Sequence, residues 1–262
     1  MPGTSVDLSV ISTRDTSAFP NASKKTARGL LATMNTRLSE LQKLLWADGT
    51  RSVLLVLQAM DTGGKDGTIR KVLTGVNPQG VDVHGFGVPT EEELGHDYLW
   101  RVHAHTPADG RIAVFNRSHY EDLLVVRVLG LAPESVWSRR YRHIRDFESM
   151  LVDEGTIIRK VMLHISKDEQ RERLQARLDD PSKAYKFNVG DLDTRAQWGD
   201  YMAAYATALE ETSTVDAPWF VVPADRKWYR NLVVSQILID AIQGLGLSYP
   251  PPDEDLEGIS ID

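Results

Sequence analysis

The chain has 262 residues, 42% hydrophobic and 26% charged, with a formal net charge of −7 and no cysteine. That length suits one large domain with a substantial core, and the missing thiols exclude disulfides, zinc–thiolate centres and cysteine nucleophiles. The acidic balance argues against broad coating of nucleic acid, but not against a local basic channel for an anionic ligand.

Residues 1–20 read as irregular and poorly ordered. A helix is expected over about 23–47, where Leu31, Met34, Leu38, Leu41 and Leu45 form an apolar stripe at three- and four-residue steps. Ser52–Gln58 reads as a buried strand, followed by a Gly-rich loop and a helix over about 67–75. A second strand is expected over 81–87. Thr90 and Glu93 then make a capping-box pattern for a helix carrying Tyr98, Leu99 and Trp100. Strand three covers 111–115 and helices follow over about 119–128 and 134–153. Strand four covers about 156–165, and Ser166 with Glu169 begins a helix to about residue 179. A polar, turn-rich insertion at 180–193 precedes a helix over 194–212, strand five at 219–222 and a last helix over 227–245. The acidic tail at 250–262 reads as poorly ordered. Strands alternating with helices imply a parallel sheet covered on both faces, with ligands beyond the carboxyl ends of the strands.

The strand at 52–58 runs into Asp61-Thr62-Gly63-Gly64-Lys65-Asp66-Gly67-Thr68. Strand, glycine-rich turn with lysine, then helix is the context of a phosphate cradle. Glycines let the backbone approach an anion, Lys65 supplies charge and the helix N-terminus adds its dipole. The match to the P-loop pattern is degenerate: Ala59 stands at the first glycine and Asp66 at the Ser/Thr after the lysine, with Thr68 as an alternative hydroxyl. Asp61 beside such a nest would repel phosphate unless Mg²⁺ intervenes or the acid has a chemical task.

After strand three come Asn116 and Arg117, then Glu121 and Asp122. Arg117 could hold a transferring phosphoryl group and an acid could hold Mg²⁺, or Arg117 could simply pair with a neighbouring acid. The cluster Arg139–Arg145 reads as a solvated helix face or as a second phosphate contact. Lys183, Tyr185, Lys186, Asp191, Arg195 and Trp198 lie in or beside the insertion, which reads as a closing lid or a decorated surface loop. The seven histidines are scattered without a third ligand for zinc, and no G-x-S-x-G elbow is present. No apolar run approaches a membrane span and the N-terminus lacks a signal-peptide core, so a soluble, cytoplasmic protein is expected.

Taken together, DTGGKDGTIRKVLTGVNPQGV, FNRSHYEDLLVVRV, SKDEQRERLQARLDDPSKAYKFN and the spacing D-x-x-x-R-x-x-W-x-x-Y resemble the type 2 polyphosphate kinase family over about residues 25–245. The forms GVNPQG and FNRSHYED resemble its class III branch. The resemblance implies an α/β fold: a three-layer α/β/α, P-loop-kinase-like, five-stranded parallel sheet in a single domain, with a helical lid over about 173–195. It implies reversible, Mg²⁺-dependent phosphoryl transfer (Mn²⁺ as a substitute) from inorganic polyphosphate to AMP and ADP. By the same resemblance Asp61, Lys65, Arg117 and Asp122 are catalytic, and Asp61 and Asp122 hold the metal. Thr62, Gly63, Gly64, Asp66, Gly67, Thr68, Arg70, Asn77, Asn116, Arg127, Arg173, Arg177, Lys183, Lys186 and Asp191 bind phosphate or nucleotide. The implied partners are polyphosphate and adenine or guanine nucleotides, with no nucleic acid and no membrane, in a homo-oligomer (dimer or tetramer).

Two positions depart from the pattern. Other branches carry Asp where this chain has Asn116, which as a neutral amide cannot be a general base. Tyr185 stands where many relatives have Trp. The competing readings are an ADP-only member of the family, an ATP-dependent nucleotide kinase, and a non-catalytic P-loop binding module. Against the last, the chain has no NKxD base-reading motif.

Overall fold

The computed structural model describes residues 3–252, 254–255, 257 and 259–261. The helices are α1 (Ala27–Asp48), α2 (Lys65–Val72), α3 (Glu91–Leu94), α4 (Trp100–His103), α5 (Glu121–Val128), α6 (Glu134–Asp153), α7 (Lys167–Leu178), α8 (Gly190–Ala196), α9 (Trp198–Thr212) and α10 (Lys227–Gln243). The strands are β1 (Ser52–Gln58), β2 (Val81–Gly85), β3 (Ile112–Asn116), β4 (Thr156–His164) and β5 (Trp219–Pro223), all parallel in the order β2-β3-β1-β4-β5.

Every residue of β1 is buried because both faces of the sheet are covered. Val53, Leu55 and Leu57 point into a core shared with α1, α2 and α10, whereas Leu54 and Val56 point into one shared with α5, α6 and α9. The period-two alternation of side chains thus builds both outer layers from one strand. A fully buried leucine such as Leu54 contributes about 1.5–3 kcal/mol by the area it removes from water. Of the stripe on α1, Met34, Leu38, Leu41 and Leu45 are buried and Leu31 packs half-buried against the same core. Gly49, at φ 62°, ends that helix in the left-handed conformation and donates to the Leu45 carbonyl at 3.1 Å.

The capping box at Thr90 and Glu93 is complete, but the helix it opens, α3, ends at Leu94, so Tyr98 and Leu99 lie outside it and Trp100 begins α4. At α7 only half of one forms. Ser166 accepts from Glu169 N, but the Glu169 carboxylate turns to Arg173 at 2.7 Å and the Ser166 N–H goes to Asp225.

The N-terminal stretch departs from its expected disorder. Leu8 is buried, and His164 Nε2 donates to its carbonyl at 3.1 Å. Thr13 Oγ1 donates to Asp225 at 2.8 Å, and Ala18 N donates to the Tyr229 hydroxyl at 3.2 Å. One buried leucine and bonds to the end of β4, to the loop after β5 and to α10 tie down a segment whose local pattern is irregular. Of the acidic tail at 250–262, Asp253, Leu256, Gly258 and Asp262 lie outside the described residues. The expected helix over 194–212 is two helices, α8 and α9, broken at Gln197. Among the described residues no helix is long and apolar enough to cross a membrane.

Candidate active site

The first and third strands are neighbours in register, Leu57 opposite Asn116, so the motifs that follow them emerge side by side. The Arg117 N–H donates to the Leu57 carbonyl at 3.1 Å and locks the two ends together. A cleft of about 680 Å³ opens there, lined by Asp61–Gly67, Arg70, Gly85–Gly87, Asn116, Arg117, Arg177, Lys186, Asn188 and Asp191.

The loop between β1 and α2 is folded by its glycines. Gly63 N donates to the Met60 carbonyl at 2.9 Å, and a Cβ on Gly63 would lie 2.4 Å from that of Ala59. Gly64 has φ 99°, which a side chain would strain. Two other residues of the site, Thr62 (φ 61°) and Arg117 (φ 64°), adopt positive φ without being glycine. Such strain is kept where the surroundings over-determine it, and functional sites are where it concentrates.

Lys65 does not stand free in solvent. It is half-buried, and its Nζ donates to the Ala59 carbonyl at 3.0 Å, so the ammonium is folded over the loop it serves. Burial, joined by the Arg117 charge, lowers its pKa against the pull of Asp61, Glu121 and Asp66. Arg117 Nη2 donates to Asp61 at 3.0 Å. Burial works to lower the Arg117 pKa, but Glu121 and Asp61 outweigh it and hold the guanidinium above its usual value. Burial raises Glu121 against Arg117 and Lys65, and burial with the Asp61 charge raises Asp191. The site is therefore a mixed cluster in which Lys65 and Arg117 both feel Asp61 and Glu121.

Arg177, near the end of α7, also lines the cleft and donates to the Lys186 carbonyl at 3.0 Å and to Asp191 at 3.3 Å. Arg101, buried, donates to the Gly87 carbonyl at 3.1 Å and braces the rim after β2.

Asp122, Thr68, Asn77, Arg127, Arg173 and Lys183 stand off the cleft. Asp122 turns away from it to pair with Arg140 at 2.8 Å, because the next residue on a helix projects about 100° from Glu121. Thr68 is fully buried and donates to the Gly64 carbonyl at 3.0 Å. Asn77 accepts from Gln79 N in a turn, and Arg127 donates to the Tyr141 hydroxyl while lying over the Trp137 ring. Arg173 bonds the loop from behind, at the carbonyls of Thr62 and Gly63. Lys183 pairs with Asp180. Arg139–Arg145 lies off the cleft and divides into Arg140 on Asp122, Arg145 on Glu211, exposed Arg139 and Arg142, half-buried His143, and Tyr141 and Ile144 buried in the core.

Gly85, Phe86, Gly87 and Asn188 line the cleft without having been singled out. The glycines at the carboxyl end of β2 carried a signal, since the neighbouring strand ends were already assigned to the site. Glu121, weighed beside Asp122, is the acid whose charge acts on Lys65 and Arg117.

The sequence model of the polyphosphate kinase 2 (PPK2) family matches residues 21–247. This chain belongs to the polyphosphate kinase 2 family. It is 59% identical over 248 residues to an AMP/ADP-polyphosphate phosphotransferase of Meiothermus ruber, covering 95% of this chain and 92% of that one. It is 49% identical over 240 residues to an ADP-polyphosphate phosphotransferase of Rhodopseudomonas palustris, covering 87% and 83%. The crystal structure of Polyphosphate Kinase 2 from Arthrobacter aurescens TC1 superposes with a TM-score of 0.94 at 49% identity, covering 97% of this chain and 90% of that one. The fold expected from the resemblance is therefore the fold of this family.

Proposed function

We propose that this protein transfers phosphoryl groups from inorganic polyphosphate to nucleoside mono- and diphosphates, AMP to ADP and ADP to ATP, reversibly. The observation that carries the reading is the convergence of Lys65, Arg70, Arg117, Arg177 and Lys186 on the cleft that the glycine loop lines, in an otherwise acidic protein. Two polyanions brought together need such local cation density, and phosphoryl transfer consists mostly of positioning and charge neutralisation. The 59% identity to a relative named for both AMP and ADP supports the wider acceptor range.

In this reading Lys65 and the loop N–H groups hold the phosphoryl group in transit. Arg117, already fixed by Asp61, aligns it. Arg177 and Lys186 hold the chain under the lid, where excluding water prevents hydrolysis. Among the described residues there is no cluster of three or more His, Asp or Glu side chains built to hold a metal. Asp61, Asp66 and Asp191 line the cleft, and sparse carboxylates suit Mg²⁺, which usually takes one or two of them and completes its shell with substrate phosphates and water. In this reading Asp61 and Asp191, which line the cleft, would hold the ion, and Asp122, which stands off the cleft on Arg140, would not. When bound, the ion supplies charge neutralisation between phosphates.

Incubation with polyphosphate, Mg²⁺ and either AMP or ADP, without ATP, tests the proposal by chromatography of the products. ADP and ATP should form respectively. Turnover of ADP alone would restrict the acceptor range, and turnover only with ATP as donor would overturn the reading.

A further inference from the structure

The back of the phosphate loop carries a buried cation with no ion-pair partner among the described residues. Arg230, in the first turn of α10, is 3% exposed. Its Nε and Nη2 donate to the Asn231 side-chain oxygen at 3.2 and 2.9 Å, and Nη1 reaches the Gly63 carbonyl at 3.4 Å. These acceptors are neutral. The neighbouring guanidinium, Arg173, has Glu169 at 2.7 Å and also grips the Thr62 and Gly63 carbonyls, both at 3.0 Å. Burial first, then the Arg173 charge, pulls the Arg230 pKa down to about 10, with no acid opposing them.

The loop is shaped to admit this group. A Cβ on Gly64 would stand 2.0 Å from Arg230 Nη1, and one on Gly67 would stand 3.6 Å from a second nitrogen of the same guanidinium. Arg230 therefore lies against the first turn of α2, where the helix dipole is also positive. Two guanidiniums and a helix N-terminus meet there with one carboxylate between them. A buried charge without a partner destabilises a protein unless something else supplies the counter-charge.

We propose that Arg230 is a positioning residue for the phosphate loop, and that its missing counter-charge is the phosphate held on the loop's other side. This rests on the proposed function. The peptide joining Gly63 to Gly64 turns its carbonyl to the two arginines. Being trans, it presents the Gly64 N–H to the opposite side, and Gly64 lines the cleft. Arg230 thus orients a donor toward the anion and adds attraction through a loop of low dielectric. The ligand-free protein carries the uncompensated charge, and binding relieves it.

Thermal unfolding and calorimetry with tripolyphosphate, at low and high salt, test this on the full chain. In Arg230→Met the ligand-free melting temperature should equal or exceed the parent's. The rise on adding tripolyphosphate should shrink, the Kd should weaken at least tenfold and its salt dependence should flatten. Arg230→Lys should recover part of the lost affinity. A lowered melting temperature in Arg230→Met with the parent's Kd and salt dependence would show a purely structural arginine and overturn the proposal. Should Arg230→Met not fold, Arg230→Gln, which keeps a donor for Gly63 but no charge, decides by the same comparison. Absence of tripolyphosphate binding by the parent would overturn the functional reading itself, and this proposal with it.

Discussion

Asn116 Nδ2 donates a 2.6 Å hydrogen bond to the carboxylate of Asp66 across the mouth of the cleft. The amide at the end of β3 is thereby matched to the acid that stands at the P-loop's hydroxyl position. A carboxylate at 116 would face Asp66 as a like charge. Asn116→Asp should therefore be less stable than the parent by about 1 kcal/mol without metal, and should regain that stability when Mg²⁺ is added. Thermal melts in EDTA and in Mg²⁺ measure both, and equal melting points in EDTA would deny the pair any role.

Lys65→Ala should keep the fold and lose turnover. The side chain is half-buried but bonds only the Ala59 carbonyl, so its removal opens no core. Loss of one transition-state contact costs about 3–4 kcal/mol, or about 10²–10³ in kcat. Near-parental kcat in a protein of unchanged circular dichroism would remove Lys65 from the mechanism.

The two candidate metal acids should separate. Asp61→Asn should lower kcat and raise the Mg²⁺ concentration at half-maximal rate, because Asp61 lines the cleft. Asp122→Asn should leave that midpoint unchanged and lower stability by about 1–3 kcal/mol, since it strips the partner from a mostly buried Arg140. A shifted metal midpoint in Asp122→Asn would return that residue to the metal site.

The lid should show itself in exchange and in a contrast between lysines. Arg177 latches the Lys186 carbonyl and Asp191. Arg177→Ala and Lys186→Ala should raise the KM for polyphosphate by about tenfold, the equivalent of about 1.4 kcal/mol, with smaller effects on the nucleotide. Lys183→Ala should do little, because Lys183 pairs with Asp180 off the cleft. Amides of 180–193 should exchange faster than those of β1 and slow when both substrates bind. Slow exchange that ligands leave unaltered would contradict a moving lid.

A buried ion pair sets an acid limit on stability. Lys160, fully buried in β4, donates to the Glu148 carboxylate, to the Tyr120 hydroxyl at 3.0 Å and to the Thr212 carbonyl at 2.7 Å. Burial pushes the Glu148 carboxyl up, but Lys160 and His119 outweigh it and hold it below the usual glutamate range. Burial lowers Lys160 as well, yet three acceptors around it suit an ammonium. With its folded pKa depressed, Glu148 contributes stability above the unfolded glutamate pKa and loses it as pH falls through the folded value. Glu148→Gln should cost about 3–5 kcal/mol at neutral pH, and urea titrations should show the gap to the parent closing below about pH 4. A gap independent of pH would mean the pair is not ionic.

Periodicity and local chemistry were enough to read the sheet and the loop. The run Val53–Leu57 can only be a strand buried on both faces, Gly63 and Gly64 mark a backbone that must approach an anion, and Met34, Leu38, Leu41 and Leu45 can share only a helix face. These are constraints of period, steric freedom and apolar content, and they act within a few residues. What chain pattern could not settle was which way a polar side chain turns and what it meets from far along the sequence. Glu121 and Asp122 are equivalent as letters, but a helical step of about 100° sends only one toward Lys65 and Arg117. Arg173 reads as a lid base, yet packing puts it behind the loop beside Arg230, which comes from a helix 167 positions beyond Gly63. Lys160 falls within the strand read over 156–165, and nothing near it in the sequence names its partner, Glu148 of α6. Such partners are chosen by the closing of helix layers onto the sheet, because a buried charge is tolerated only where the whole fold delivers its counterpart.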